Sequence, residues 1–203
     1  MMQIIDCEQN STEWLRARAG LATASAFKDV MAKGEGKTRR TYMLKLAGEL
    51  ISGEPAESYS NVHTERGHAM EDDARNFYSL IKDVEPERVG FIVNGRKGCS
   101  PDSLIGDKGM LEVKTKLPHL LIEVLLKDEF PPEHKAQCQG AIWVAEREWI
   151  DIAIYWPNMP LFVKRATRDD KYIANLSAEV DRFNADLDEV VRQVRGYGMK
   201  AAA

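Results

Sequence analysis

The stretch from Ser100 to Lys114, SPDSLIGDKGMLEVK, constrains the fold more than any other part of the chain. Pro101 fixes a bend at Asp102, Gly106 and Gly109 supply a reversal, and the residues that follow alternate as Leu111, Glu112, Val113 and Lys114. Strand side chains point alternately to the two faces, so Val113 enters a core while Glu112 and Lys114 share the opposite face. The reversal makes a hairpin whose other arm, residues 98 to 105, brings Asp102 beside Glu112. Two acids and one lysine thus converge. Such oxygens can hold a hard divalent cation, with the ammonium orienting a water or stabilising a developing negative charge. An acid and a lysine two apart are also common on a solvated strand face. The alternating core residues, the glycine reversal and the proline-set acid argue for a site instead.

At 203 residues, 44% of them hydrophobic, the chain is long enough for one domain with its own core, and it has no apolar run that could span a bilayer. No charged-then-apolar leader is read at the amino terminus, so nothing directs export. Cys7, Cys99 and Cys138 are odd in number and far apart, which argues against a disulfide framework, an iron–sulfur cluster or a zinc site. A soluble protein of a reducing cytoplasm is expected. The net charge of −4 is unusual for a partner of nucleic acid. Between Lys33 and Arg40, however, Lys33, Lys37, Arg39 and Arg40 oppose Glu35 alone, and Gly34 and Gly36 suggest a mobile basic loop suited to a phosphate backbone or simply to solvent.

The rest of the chain alternates helical and strand patterns without repeats. Ser11 can cap a helix from about Thr12, and Thr23 or Ser25 one that runs to about Ala32. Tyr42, Leu46 and Leu50 form a stripe on a helix over 41–51, and a longer helix should span 64–82. Strands are expected near 88–94, 99–105, 110–115, 149–156 and 161–165, with helices over 119–127 and 133–145. A last helix over 169–194 repeats Ile173, Leu176, Val180, Phe183, Leu187, Val190 and Val194 at spacings of three and four, which is core packing. The pattern is that of an α/β fold, with a short mixed sheet flanked by helices.

Pro101-Asp102 followed by Glu112-Val113-Lys114 resembles the PD-(D/E)xK nuclease signature, and the flanking text is similar to the phage-lambda-type exonucleases, the viral recombinase or alkaline exonuclease branch of that superfamily. The resemblance runs through four segments in order: 14–25 (WLRARAGLATAS), 67–75 (GHAMEDDAR), 100–114 and 136–143 (AQCQGAIW). It implies a restriction-endonuclease-like core, while the length reads as a single domain over 1–203 and the tail after about residue 196 as frayed. It further implies catalytic roles for Asp102, Glu112, Lys114, Glu71 and Gln137. One or two magnesium ions (Mg2+, with Mn2+ able to substitute) would be held by Asp102, Glu112, the backbone carbonyl of Val113 and Glu71. Helical offsets turn Asp72 and Asp73 away from the face of Glu71. Arg18, Ser25 and Ser100 would grip a 5′-phosphate, although Arg18 also reads as an ordinary surface ion pair and Ser25 as a plain helix cap.

The activity so implied is digestion of duplex DNA ends from 5′ to 3′, leaving a 3′ single strand for recombination. A homotrimeric ring, a single-strand annealing protein as partner and a bacterial or phage-infected cytoplasm are implied with it. Two other readings use the same residues: a structure-specific or restriction-type endonuclease, and a non-catalytic scaffold that binds DNA ends.

Overall fold

The computed structural model describes residues 1–32, 37–56 and 62–198, and for 62–69 the backbone alone. The chain starts with β1 (Met2–Ile5), α1 (Thr12–Arg18), β2 (Ala22–Thr23) and α2 (Phe27–Val30), followed by the helices α3 (Lys37–Ser52) and α4 (Val62–Lys82). Next come β3 (Phe91–Asn94), β4 (Lys97–Cys99), β5 (Ser103–Ile105) and β6 (Gly109–Thr115). It closes with α5 (Pro118–Lys127), α6 (Lys135–Val144), β7 (Trp149–Tyr155), β8 (Phe162–Thr167) and α7 (Asp170–Arg195).

The α/β expectation holds, but the strands form two four-stranded sheets, ordered β1-β3-β4-β2 and β5-β6-β7-β8. The single strand expected over 99–105 is the reason. It breaks at Ser100-Pro101-Asp102, so β4 ends in one sheet and β5 begins in the other. Proline has no N–H for a ladder, and the break falls where it stands. In the second sheet β5 and β6 are antiparallel, β6 and β7 parallel, and β7 and β8 antiparallel. Gly106, at φ +51, makes the reversal between β5 and β6, and a Cβ on Gly109 would lie within 2.3 Å of the Trp149 ring.

Helices cover both faces of that second sheet. Leu111, Val113, Ala153 and Tyr155 pack under Ala74 and Tyr78 of α4. Met110 and Ile150 join Ile142 of α6 and Phe183 of α7, while Ile152 and Ile154 meet Leu121 of α5. Of the α7 stripe, Ile173, Leu176, Val180, Phe183 and Leu187 are buried, each stabilising by roughly 1.5–3 kcal/mol. In its last turns the core residue is Val191 rather than Val190 or Val194, as the 3.6-residue period drifts off a strict repeat.

Two local expectations change. Residues 24–26 form a 3-10 turn before α2, and the Thr23 hydroxyl meets Ser25 (3.3 Å) instead of capping a helix. The basic segment is helical from Lys37, and Arg39 is tied to Asp186 of α7 (2.8 Å); residues 33–36 lie outside those described.

Candidate active site

The break that separates the sheets also builds the site. The Asp102 N–H donates to the Leu111 carbonyl (3.0 Å), and Asp102 Oδ2 accepts the Val113 N–H (2.5 Å). The acid therefore continues the β5–β6 pairing with its side chain in place of a backbone carbonyl. Carbonyl and N–H of one strand residue point the same way, so the Val113 carbonyl faces that same open edge. On the opposite face of β6, Glu112 is 4% exposed. Its Oε1 accepts from Lys114 Nζ (2.6 Å) and from Gln137 Nε2 on α6 (2.5 Å). Glu71 on α4 is engaged by Arg75 Nη2 (2.6 Å), and Arg75 Nε reaches Ser103 beside Asp102 (2.9 Å).

Burial, then repulsion from Glu112 and Glu71, pushes the Asp102 carboxyl well above the usual carboxylate range. Lys114 is affected in the opposite sense. Burial disfavours its ammonium, but Glu112 and Asp102 outweigh this and raise its pKa above an ordinary lysine's, so it stays charged at neutral pH. Cys99 and Cys138 are free and buried, with their thiols held protonated by burial and by the charge of Glu112.

A cavity of about 180 Å³ opens above these groups, and Arg18, Ser25, Ser100, Glu71, Asp102, Glu112 and Gln137 all line it. Lys114 touches the site through Glu112. Asp72 lines only the adjoining groove, where it pairs with Arg75 and Arg88. On the same cavity the Arg18 guanidinium lies 3.8 Å from the centre of the Trp14 ring and reaches Thr23 Oγ1 (3.5 Å). Trp14 Nε1 donates to Ser100 Oγ (2.8 Å). A fork of N–H donors and two hydroxyls suits a phosphate.

The donor set suits a hard cation. Acids brought together until one resists ionisation gain from a positive charge between them. Among the described residues no three His, Cys, Asp or Glu side chains cluster as a ready-made cage. An ion here would combine carboxylates with a backbone oxygen and water, as magnesium commonly does.

Residues 13–148 match the model of the YqaJ-like viral recombinase domain. The chain belongs to that family. All four segments of the sequence resemblance fall inside the match. The fold of this viral recombinase domain is similar to the alkaline exonuclease LHK-Exo from Laribacter hongkongensis, at 30% identity and a TM-score of 0.86, covering 95% of this chain and 100% of that one. LHK-Exo in complex with dAMP matches at 31% identity and a TM-score of 0.87, with the same coverage. A phage-related exonuclease from Haemophilus somnus 129PT shares the fold at 13% identity and a TM-score of 0.67, over 86% of this chain and 96% of that one. No curated protein sequence matches.

Two residues of the viral recombinase site escaped sequence reasoning. Gln9 Nε2 donates to the carbonyls of Val89 (2.9 Å) and Pro101 (3.0 Å), clamping the turn that carries Asp102. Nothing in its local sequence marks it. Trp14 reads as apolar bulk, yet it holds both Arg18 and Ser100. Its spacing of four from Arg18 on a helix was the available signal.

Proposed function

We propose that residues 1–203 form one nuclease domain that digests duplex DNA from a 5′-phosphorylated end, using magnesium, and leaves a 3′ single strand for recombination by strand annealing. That the chain is a DNA exonuclease rests on its family and on its fold. The finer reading is supported by the single cavity that joins Arg18, Ser25 and Ser100 to the Asp102–Glu112 acids. A terminal phosphate bound at one wall sets the first phosphodiester against the carboxylates at the other. LHK-Exo has been solved with dAMP, a nucleoside monophosphate of the kind such digestion releases.

In this mechanism the Arg18 fork, held flat by Trp14, takes the terminal phosphate together with Ser100 and Ser25. Asp102, Glu112, the Val113 carbonyl and Glu71 would hold magnesium, which when bound supplies Lewis-acid stabilisation of the charge that develops on the phosphoryl oxygens. Gln137 fixes Glu112. Lys114 keeps its proton and acts as a positive charge that orients the attacking water and faces the developing oxyanion, rather than as a base. A homotrimeric ring, a single-strand annealing partner and a place in the cytoplasm of a bacterial or phage-infected cell complete the proposal. Among the described residues no helix is long and apolar enough to cross a membrane.

The test is digestion of a linear plasmid with 5′-phosphate or 5′-hydroxyl ends, alongside covalently closed circular DNA, with magnesium and then with EDTA. Release of nucleotides from the phosphorylated linear form is expected, abolished by EDTA. Cleavage of closed circles would replace this reading with an endonuclease, and intact DNA in every lane would favour the end-binding scaffold.

A further inference from the structure

A second group of cations begins where the active site ends. Glu112 and Lys114 share one face of β6, and Lys116 follows directly after its end at Thr115. Across from that row runs a second one. Gln137 meets Glu112, and three residues earlier His134, at the start of α6, stands beside Glu133, its Nε2 4.0 Å from Glu133 Oε1. Lys116 Nζ donates to that same Glu133 oxygen (3.0 Å). A third row comes from the segment packed on α6, where Lys28 follows Ser25 by one turn on the exposed side. Three elements thus each carry one residue at the active-site cavity and a cation or imidazole one step beyond it: Glu112 and Lys116, Gln137 and His134, Ser25 and Lys28.

The charges around His134 point the same way. Burial and then the positive fields of Lys114, Lys116 and Lys28 press its pKa down to about 4, with Glu133 opposing them. A neutral imidazole among three ammonium groups, with one exposed carboxylate between them, is a place that attracts an anion and offers it N–H donors. Lys114 to Lys116 is two residues, a reach of at most about 7 Å, of the order of the spacing between successive phosphates on a strand.

Resting on the exonuclease reading, we infer that Lys28, Lys116 and His134 bind the backbone phosphate that follows the scissile bond on the digested strand. The terminal phosphate sits at the Arg18 wall and the scissile one at the carboxylates, so the next lies on the Lys116 side. The chain as a whole carries net negative charge. Confining its attraction for DNA to this track would keep the duplex in register with the acids.

The experiment measures binding of a 5′-phosphorylated duplex without metal over a range of salt, for the wild type, Lys28→Ala, Lys116→Ala, His134→Ala and the triple variant. Lys82→Ala, at the far end of α4, serves as a charge-matched control. The slope of log affinity against log salt should fall by about 0.9 for each lysine removed, with affinity down on the order of 5-fold, and Lys82→Ala should keep the wild-type slope. A neutral methylphosphonate at the phosphate 3′ of the scissile bond should weaken the wild type by a similar factor and the triple variant by less than twofold. Lys28 is exposed but Lys116 and His134 are half-buried, so melting curves check that each substitution leaves the fold intact. A triple variant with the wild-type slope, or one that keeps full sensitivity to the methylphosphonate, overturns the inference even if the wild type digests DNA. A wild type that binds this duplex as inferred but releases no nucleotides would fail the exonuclease reading alone.

Discussion

On β7, Asp151 is met on both carboxylate oxygens: Arg165 donates to Oδ1 (2.8 Å) and Oδ2 (3.0 Å), and the Tyr78 hydroxyl donates to Oδ2 (2.7 Å). Two strands over, just before β5, the Asp102 carboxylate accepts a backbone N–H and faces Glu112 and Glu71, two further acids. Asp151 is 1% exposed and turned toward α4, whereas Glu112 points to the other face of the same sheet. A buried acid whose charge is answered by protein groups holds the fold together. One whose charge is left partly unanswered is poised for a ligand, at a cost in stability.

The sharpest way to break this contrast is to truncate each acid in turn. Asp102→Ala or Glu112→Ala should lower magnesium-dependent nucleotide release roughly a thousandfold, since several kcal/mol of charge stabilisation go with the cation. The melting temperature of Asp102→Ala stays near that of the wild type, whereas Glu112→Ala also loses stability because it strips Lys114 and Gln137 of their shared partner. Substantial residual turnover in either variant would remove these acids from the metal site. Asp151→Ala should do the reverse. Leaving the buried Tyr78 hydroxyl and the half-exposed Arg165 without their shared partner costs about 1–3 kcal/mol, a fall of roughly 5 °C in melting temperature, with the rate per folded molecule within about threefold of wild type. A catalytic defect larger than the stability defect would erase the distinction.

Trp14→Phe keeps the ring under Arg18 but removes the donor to Ser100. The preference for 5′-phosphate over 5′-hydroxyl ends should drop about fivefold to tenfold, the worth of one hydrogen bond, in a competition digest. An unchanged ratio would make Trp14 a packing residue only. The smallest effect expected is a gain. Because the folded-state pKa of Asp102 lies above its unfolded value, folding favours the protonated form, and the contribution turns unfavourable as pH rises from the ordinary carboxylate range toward the raised value. Asp102→Asn should therefore raise the metal-free melting temperature at neutral pH by roughly 3 °C, on the order of 1 kcal/mol, with the gain vanishing near pH 4. A destabilised Asn variant at neutral pH would show that the acid is not held under repulsion.

Much of this was legible beforehand, and particular residues show why. Leu111 to Lys114 alternate with period two and α7 repeats with period 3.6, so their faces follow from local stereochemistry alone. The family resemblance singled out Glu71, helical angles turned Asp72 and Asp73 elsewhere, and of the three only Glu71 lines the cavity with Asp102 and Glu112. The strand expected across Pro101 was misread because two short strands of different sheets, end to end, carry the same pattern as one long strand.

What the linear chain determined by itself is therefore periodic or adjacent: the hairpin, the acid–lysine pair on one face, the amphipathic helices and the motifs that mark the family. What only the tertiary structure decided spans long separations, such as Trp14 with Ser100, 86 residues apart, and Gln9 with Pro101, 92 apart. Hydrogen bonds of that reach leave no period in the sequence, since they depend on how two sheets and their covering helices pack. That packing puts the Arg18 guanidinium and a set of crowded acids around one cavity.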